Sequence, residues 1–528
     1  MPEAGRTPAD SQSLAVDLPT SVLRPIVRNL LRRPWRTVVV DDWRAWRAIE
    51  LYTAAVVLSK EIERRSKSPR VGVMLPTSGL FPVSLLASWL AGRTVVPVNY
   101  LLKPHERDAI LSDANLEVVV SVSPMIEQFG ELPSGIRTIL LDQLHFPRLP
   151  RFRRLPNEDP DATSVVMYTS GTSGEPKGVE LTARNLAANT WQCARWGEVT
   201  QRDVFLGVLP QFHSFGLTVL TLLPLTVGAK VVYTARFVPR KLFELFRKHR
   251  ATGFVGIPAM YEGLLRDKKA SPEDCSSARL MISAGEPLPA GLSQRFEERF
   301  RVAINEGYGL TETGPAANWM RAADMVPGSV GKPLPLVEEK VVDASRQRVA
   351  TDQEGEICVR GPNVMKGYYQ RPEMTAAAFD TEGYLHTGDL GRIDAQGRLY
   401  VTGRMSDLII VAGENVFPRE IEEVLNRHPM VVDSAVLGVP DRLRGEVPVA
   451  FVELAEGTTL DEARLRAYCR GLLASHKVPR RIVAVKELPR TPTGKVLKRF
   501  LPVEELQLRR RKGPPQQGTG GLSGTQGR

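Results

Sequence analysis

Residues 168–178 read Tyr-Thr-Ser-Gly-Thr-Ser-Gly-Glu-Pro-Lys-Gly, and no other stretch constrains this chain as strongly. Seven of the eleven residues are Ser, Thr or Gly, and one Lys stands near the end. Small residues let backbone N–H groups approach an anion, hydroxyls add donors, and a Lys on such a loop supplies a point charge for phosphate oxygens. Thr163–Thr169 is apolar enough to be a buried strand ahead of the loop, and Thr182 has the chemistry of an N-cap for a helix running to about Cys193. Strand, loop and helix in that order predict a phosphate-binding arrangement. The loop is not of the Walker A type, because Lys177 follows Pro176 rather than Gly and no Ser or Thr comes after it.

The length of 528 residues exceeds what one hydrophobic core serves, so two or more domains are expected. Cys193, Cys275, Cys358 and Cys469 lie far apart with no Cys-x-x-Cys pair. That argues against a disulfide framework or a zinc site and fits a reducing, cytoplasmic location. No secretory signal is recognised, and no apolar run approaches the roughly 20 residues that span a bilayer.

The net charge of +11 is partly concentrated near the ends. Arg24, Arg28, Arg32, Arg33 and Arg36 punctuate Val22, Leu23, Ile26, Val27, Leu30 and Leu31, which predicts a basic amphipathic helix. Its apolar stripe either packs on the body of the protein or makes a peripheral contact with the inner face of an anionic membrane. The Arg509–Lys512 run precedes a Gly/Gln/Pro tail expected to be disordered. The basic runs are not interleaved with aromatics, so no nucleic-acid partner is expected.

Short apolar strands alternate with helical patterns over most of the length, as in Val71–Leu75 then Phe81–Ala91, which predicts α/β layers with largely parallel sheets. From about 338 to 403 short strands with turn signals predict a β-rich subdomain, and beyond it the mixed pattern of a compact α+β unit begins. The expected organisation is an N-terminal extension over 1–34, a large domain over 35–403, a small domain over 404–508, and the basic tail over 509–528.

Further segments carry chemistry-bearing residues. They are Leu209-Pro-Gln-Phe-His213-Ser-Phe-Gly216, Ser283-Ala-Gly285-Glu286-Pro287-Leu288, Asn305-Glu-Gly307-Tyr308-Gly-Leu-Thr311-Glu312-Thr-Gly314, Tyr384-Leu-His-Thr-Gly-Asp389, Gly403-Arg404 and Pro489-Arg-Thr-Pro-Thr-Gly-Lys495. Taken singly, His213 is a core histidine, Asp389 a turn cap and Lys495 a solvated loop charge. Together and in this order the set closely resembles the adenylate-forming superfamily of acyl-CoA synthetases, peptide-synthetase adenylation domains and firefly-type luciferases, over roughly residues 35–505.

The resemblance implies a large N-terminal domain and a small mobile C-terminal lid. It also implies ATP-dependent formation of an acyl-adenylate, then transfer of the acyl group to a thiol. By resemblance, Thr169, Ser170, Gly171, Thr172, Ser173, Gly174 and Lys177 hold the β- and γ-phosphates. Thr311 donates to the α-phosphate, and Glu312 is the Mg²⁺ ligand, an oxygen donor suited to a hard cation. Gly285, Glu286, Pro287, Gly307 and Tyr308 form the adenine slot. Asp389 receives the ribose hydroxyls with help from Arg404. Lys495 reaches the α-phosphate and carboxylate from the lid, and His213 lines the entry to the carboxylate site. Ser406 stands where the family pivots on Asp or Lys, and Gly413 lies where the pantetheine tunnel would run.

Phe212–Thr218 and Phe254–Tyr261 would flank the acyl pocket. They are apolar and carry no Lys or Arg for a second carboxylate, which favours a medium- or long-chain fatty acid. The co-substrate is CoA or, alternatively, a phosphopantetheinylated acyl carrier protein. The segments 212–218 and 305–309 look most like the ligase half of 2-acylglycerophosphoethanolamine acyltransferase/acyl-carrier-protein synthetases. A non-catalytic lipid- or protein-binding descendant of the fold would have no physical reason to keep Lys177, Glu312, Asp389, Arg404 and Lys495 together.

Overall fold

The computed structural model describes residues 18–146, 152–170, 176–289, 291–321, 324–490 and 496–503. The chain divides into two compact units between Val401 and Thr402, inside the strand Leu399–Arg404.

The first unit is α/β. Its seven-stranded sheet runs in the order Gly367–Tyr368, Pro176–Thr182, Thr163–Ser170, Thr94–Pro97, Arg70–Val73, Val118–Ser121, Arg137–Leu140. The last five of these are mutually parallel, and the first two add antiparallel. The eight-stranded sheet has the order Ala316–Trp319, Ile304–Gly309, Leu280–Ser283, Gly253–Gly256, Val204–Gly207, Lys230–Tyr233, Thr37–Val40, Ala45–Arg47. It is parallel in its interior, with an antiparallel strand at each edge.

Strands such as Val118–Ser121 and Leu280–Ser283 are buried on both faces, which is why they read as unbroken apolar runs. Val71, Val118 and Val165 of one sheet share a core with Phe205, Val231 and Val255 of the other. Alternate residues Leu206, Val232, Phe254 and Met281 point the opposite way, into a second core with Phe246 and Phe296. A smaller sheet of Glu338–Val342, Gly355–Arg360, Leu385–Ile393 and Leu399–Arg404 forms the β-rich part, its first three strands antiparallel.

The hairpin around residues 163–182 corrects one expectation. The chain leaves Thr163–Ser170, returns at once as the antiparallel strand Pro176–Thr182, and only then enters the helix Ala183–Trp196. Val179 and Leu181 alternate inward on the return strand, a period-2 pattern that Pro176 and Gly178 mask at its start. Thr182 is the N-cap, its hydroxyl accepting from Asn185 N at 3.1 Å. The loop therefore joins two strands, and the helix N-terminus lies a full strand away from it.

The basic helix spans Leu23–Arg32. Leu23, Ile26, Val27 and Leu30 are 0–3% exposed against the helices Ala48–Arg65 and Leu223–Val227, so the apolar face is consumed by the protein's own core. Asn29 donates to the carbonyls of Leu225 and Thr226, and Arg36 to those of Gly228 and Gln201. No helix among the described residues is long and apolar enough to cross a membrane.

The second unit is α+β. The long strands Val431–Asp441 and Gly445–Leu454 form an antiparallel pair, and Arg481–Val485 adds parallel to the latter. The helices Pro418–Asn426 and Glu462–Leu472 bury Ile421, Leu425, Leu465 and Cys469 against Val436, Ala450 and Ile482. A short hairpin, Ile409–Val411 with Glu414–Val416, completes the sheet.

Candidate active site

The first unit gathers its polar groups beyond the ends of parallel strands, where α/β sheets bind ligands. Ser283 ends its strand opposite Glu306 of the neighbouring strand Ile304–Gly309. Past Ser283 the chain turns at Gly285, with φ +87°, into Glu286 and Pro287. Leu288 N donates to Glu306 Oε1 at 3.0 Å, which holds this turn beside the strand carrying Gly307 and Tyr308. The Tyr308 hydroxyl donates to Asp389 Oδ2 at 2.8 Å, and Asp389 is 4% exposed. Burial, and after it the Asp389 charge, push the Tyr308 phenol well above its usual range, so it remains a neutral donor.

A second group forms around Lys177. Its ammonium lies 3.2 Å from Glu312 Oε1 and 3.1 Å from the Tyr368 hydroxyl, which donates to the same Glu312 oxygen at 3.0 Å. Burial and the Glu312 carboxylate raise the Tyr368 phenol far above its ordinary value. A cavity of about 320 Å³ is lined by Lys177, Glu312, Tyr368, His386, Thr387 and Gly388. Glu312 sits in the short turn Thr311–Thr313, where its carbonyl accepts from Met365 N at 2.8 Å. Thr311 is nearly buried, its hydroxyl 3.3 Å from that of Ser214.

Thr169 stands opposite Lys177 and Ser170 opposite Pro176 in the hairpin. Thr169 Oγ1 is buried with no hydrogen-bond partner among the described residues. Gly171, Thr172, Ser173 and Gly174 lie outside the described residues, as does Lys495. His213 is exposed and caps the turn Ser214–Leu217, its Nδ1 accepting from Phe215 N at 3.4 Å.

In the second unit, Arg404 ends its strand and Ser406 occupies the turn Met405–Asp407, its hydroxyl 3.0 Å from Asp407 Oδ1. Ala412 and Gly413, with φ +51° and +89°, are the two turn residues between Ile409–Val411 and Glu414–Val416, a primed hairpin turn that demands positive φ at both places.

Sequence reasoning missed Tyr368, and it quoted Ser214 and His386 without giving them a role. Tyr368 is 191 residues from Lys177, and only the Gly before it hinted at more than a core tyrosine. One assignment changes. Phe254 and Tyr261 do not flank an open pocket but stack edge to face in the second core, where the Tyr261 hydroxyl donates to Ile282 O at 2.8 Å. Strand alternation puts Val255 and Ile257 on the other face instead.

A cation paired with a carboxylate at a cavity wall, beside a Tyr–Asp hydrogen bond, suits a polyanion carrying hydroxyl groups: the ammonium meets oxyanions and the carboxylates meet hydroxyls or a cation. The comparisons agree. The AMP-binding enzyme family matches residues 27–369 and the AMP-binding enzyme C-terminal domain matches residues 420–495. The chain belongs to this family and is an AMP-forming ligase that makes thioester bonds.

A long-chain-fatty-acid–CoA ligase of Bacillus subtilis is 33% identical, over 93% of this chain and 96% of that protein. A sulfoacetate–CoA ligase of Cupriavidus necator is 36% identical, over 81% of this chain and 86% of that protein. ATP-bound MatB from Rhodopseudomonas palustris superposes with a TM-score of 0.84 at 30% identity, covering 92% of this chain and 99% of that one. Relatives of similar identity bear the names of chemically distant acids, so likeness alone fixes the reaction class and not the acid.

Proposed function

We propose that this ligase activates a medium- or long-chain fatty acid as its acyl-adenylate and passes the acyl group to the thiol of CoA. The observation that carries the reading is the Lys177–Glu312–Tyr368 cluster on the cavity whose wall continues through Thr387 and Gly388 toward Asp389. Lys177 and the loop that begins at Thr169 would hold the β- and γ-phosphates of ATP, with the buried Thr169 hydroxyl, which has no partner among the described residues, available as a donor. Asp389 and Tyr308 would take the ribose and adenine, together with Gly285, Glu286, Pro287 and Gly307. Thr311 would donate to the α-phosphate.

Glu312 offers a hard carboxylate oxygen that fits Mg²⁺, and Lys177 balances its charge in the absence of ligand. Mg²⁺ bound there would supply charge neutralisation on the phosphates. In the first step a carboxylate oxygen of the acid attacks the α-phosphorus, and the bond to the bridging oxygen breaks as pyrophosphate leaves. In the second step the thiol sulfur attacks the acyl carbon, the carbon–oxygen bond to AMP breaks, and the thiol proton goes to solvent.

Both steps depend on positioning and on stabilising developing negative charge more than on covalent help from the protein. His213, exposed at the start of its turn, would line the entry for the acid. The unit beyond Thr402 would act as a lid, with Ser406 as its hinge, Arg404 beside the ribose, Lys495 at the α-phosphate, and the Ala412–Gly413 turn leaving room for the thiol arm.

The acid is assigned from the apolar character of residues 212–218 and 254–261, which carry no Lys or Arg for a second carboxylate. The test offers a fatty-acid series with CoA and purified phosphopantetheinylated carrier protein side by side, reading AMP and thioester. AMP released in equal amount to acyl-CoA is the expected result. Thioester on carrier protein alone would overturn the acceptor, and no AMP with any chain length would overturn the acid.

A further inference from the structure

Asp389 belongs to a distorted stretch of strand. In the pairing of Gly355–Arg360 with Leu385–Ile393, Glu356 stands opposite Leu390 and Cys358 opposite His386. The three residues Thr387, Gly388 and Asp389 therefore face the single residue Ile357. This is an enlarged bulge, a device that re-aims side chains beside functional sites. Gly388 takes φ +70°, a conformation that side-chain-bearing residues rarely adopt. The bulge is what brings the Asp389 carboxylate to the Tyr308 hydroxyl.

A bulge leaves backbone donors without ladder acceptors, and the one at Gly388 is met by a side chain. Gly388 N donates to Glu356 Oε1 at 3.1 Å, while Glu356 Oε2 lies 2.7 Å from His386 Nδ1. One carboxylate thus spans the distortion from the residue before it to its middle. Thr387 closes the remainder, its hydroxyl donating to Ile357 O at 2.7 Å and accepting from Asp389 N at 3.1 Å. The His386 side chain is 8% exposed, and its Nε2 is buried with no partner among the described residues. A carboxylate can only accept, so toward Glu356 it is the Nδ1–H tautomer that completes the hydrogen bond.

Glu356, Cys358 and His386 also gather three metal-ligating atoms. However, the 2.7 Å between Oε2 and Nδ1 is a hydrogen bond, shorter than the roughly 3.3 Å that separates neighbouring ligands about a tetrahedral ion at 2.0–2.1 Å. Burial and the neighbouring Glu356 push the Cys358 thiol up to about 12, away from the thiolate a metal needs.

We infer that Glu356, oriented by His386, is a positioning residue that sets the aim of Asp389 on the nucleotide ribose. Both side chains also border the cavity, and the role assigned to them is to hold the bulge that carries Asp389. The inference rests on the proposed reading of Asp389 as the acceptor of the ribose hydroxyls.

The test compares equilibrium binding of AMP and 2′,3′-dideoxy-AMP to the full chain. The wild type is expected to prefer AMP by on the order of tenfold or more, the worth of a charge-assisted hydrogen bond. Glu356→Ala should lose most of that preference while binding dideoxy-AMP as the wild type does. Glu356→Gln, which keeps an acceptor for Gly388 N, should retain an intermediate preference, and this variant carries the test if the alanine form does not fold. A wild type with no preference for AMP would remove the ribose reading and the inference with it. A clear wild-type preference that both Glu356 variants keep, or a loss equal for both nucleotides, would leave the ribose reading intact and overturn the positioning role.

Discussion

A single carboxyl can sit in the protein as a charge or as a neutral hydrogen-bonding group, and the difference is measurable. Glu312 has the Lys177 ammonium and the Tyr368 hydroxyl as partners on one oxygen. Glu339 has only Asn318 Nδ2 at 3.2 Å on one oxygen, and its other oxygen is buried with no partner among the described residues. Burial raises the Glu339 carboxyl to about 7, against the small lowering from Asn318. Protonated Glu339 is at home in the fold, so below the unfolded-state value near 4.5 it carries no penalty. Between there and about 7 the unfolded chain loses its proton first, stability falls, and above that it stays low. Glu339→Gln should therefore raise the melting temperature at pH 8 by more than at pH 5. The gap corresponds to on the order of 2 kcal/mol. Equal melting shifts at both pH values would mean the carboxyl is not buried as described.

Among the elements, the helix Leu23–Arg32 was legible from spacing alone, because Leu23, Ile26, Val27 and Leu30 fall on one face. What that face meets was not legible, since a membrane and a protein core select the same pattern. The core receives it. Ile26→Ala should cost about 2–5 kcal/mol as a buried large-to-small change, read as a shift in a urea denaturation midpoint. A loss of less than about 0.5 kcal/mol, the range of surface substitutions, would mean the helix is not docked. The hairpin after Ser170 was misread for a different reason. Pro176, Lys177 and Gly178 look like loop, yet they pair residue for residue with Tyr168, Thr169 and Ser170. Short-range composition did not show that this segment is the return strand of a hairpin.

Over the whole molecule, sheet topology does what sequence proximity cannot. Lys177 and Glu312 are 135 residues apart and Tyr308 and Asp389 are 81 apart, yet each pair is in hydrogen-bond contact. The motifs were readable because Lys, Glu, Asp and hydroxyl residues set among glycines stand out locally in the sequence. The supporting groups were not: Tyr368, Ser214 and Glu356 are ordinary core or surface residues until the strands align them. The α/β layers, the β-rich sheet and the α+β unit follow from runs and alternation that each segment shows locally, so the fold class was more legible than the contacts.

The central claim is that this site forms an acyl-adenylate from a fatty acid. The most direct measurement is ATP–pyrophosphate exchange with no thiol acceptor present, across a series of fatty-acid chain lengths. Exchange that depends on a medium- or long-chain fatty acid and on Mg²⁺ is the predicted result. Absence of exchange at every chain length, with exchange appearing for a small polar acid instead, would contradict it.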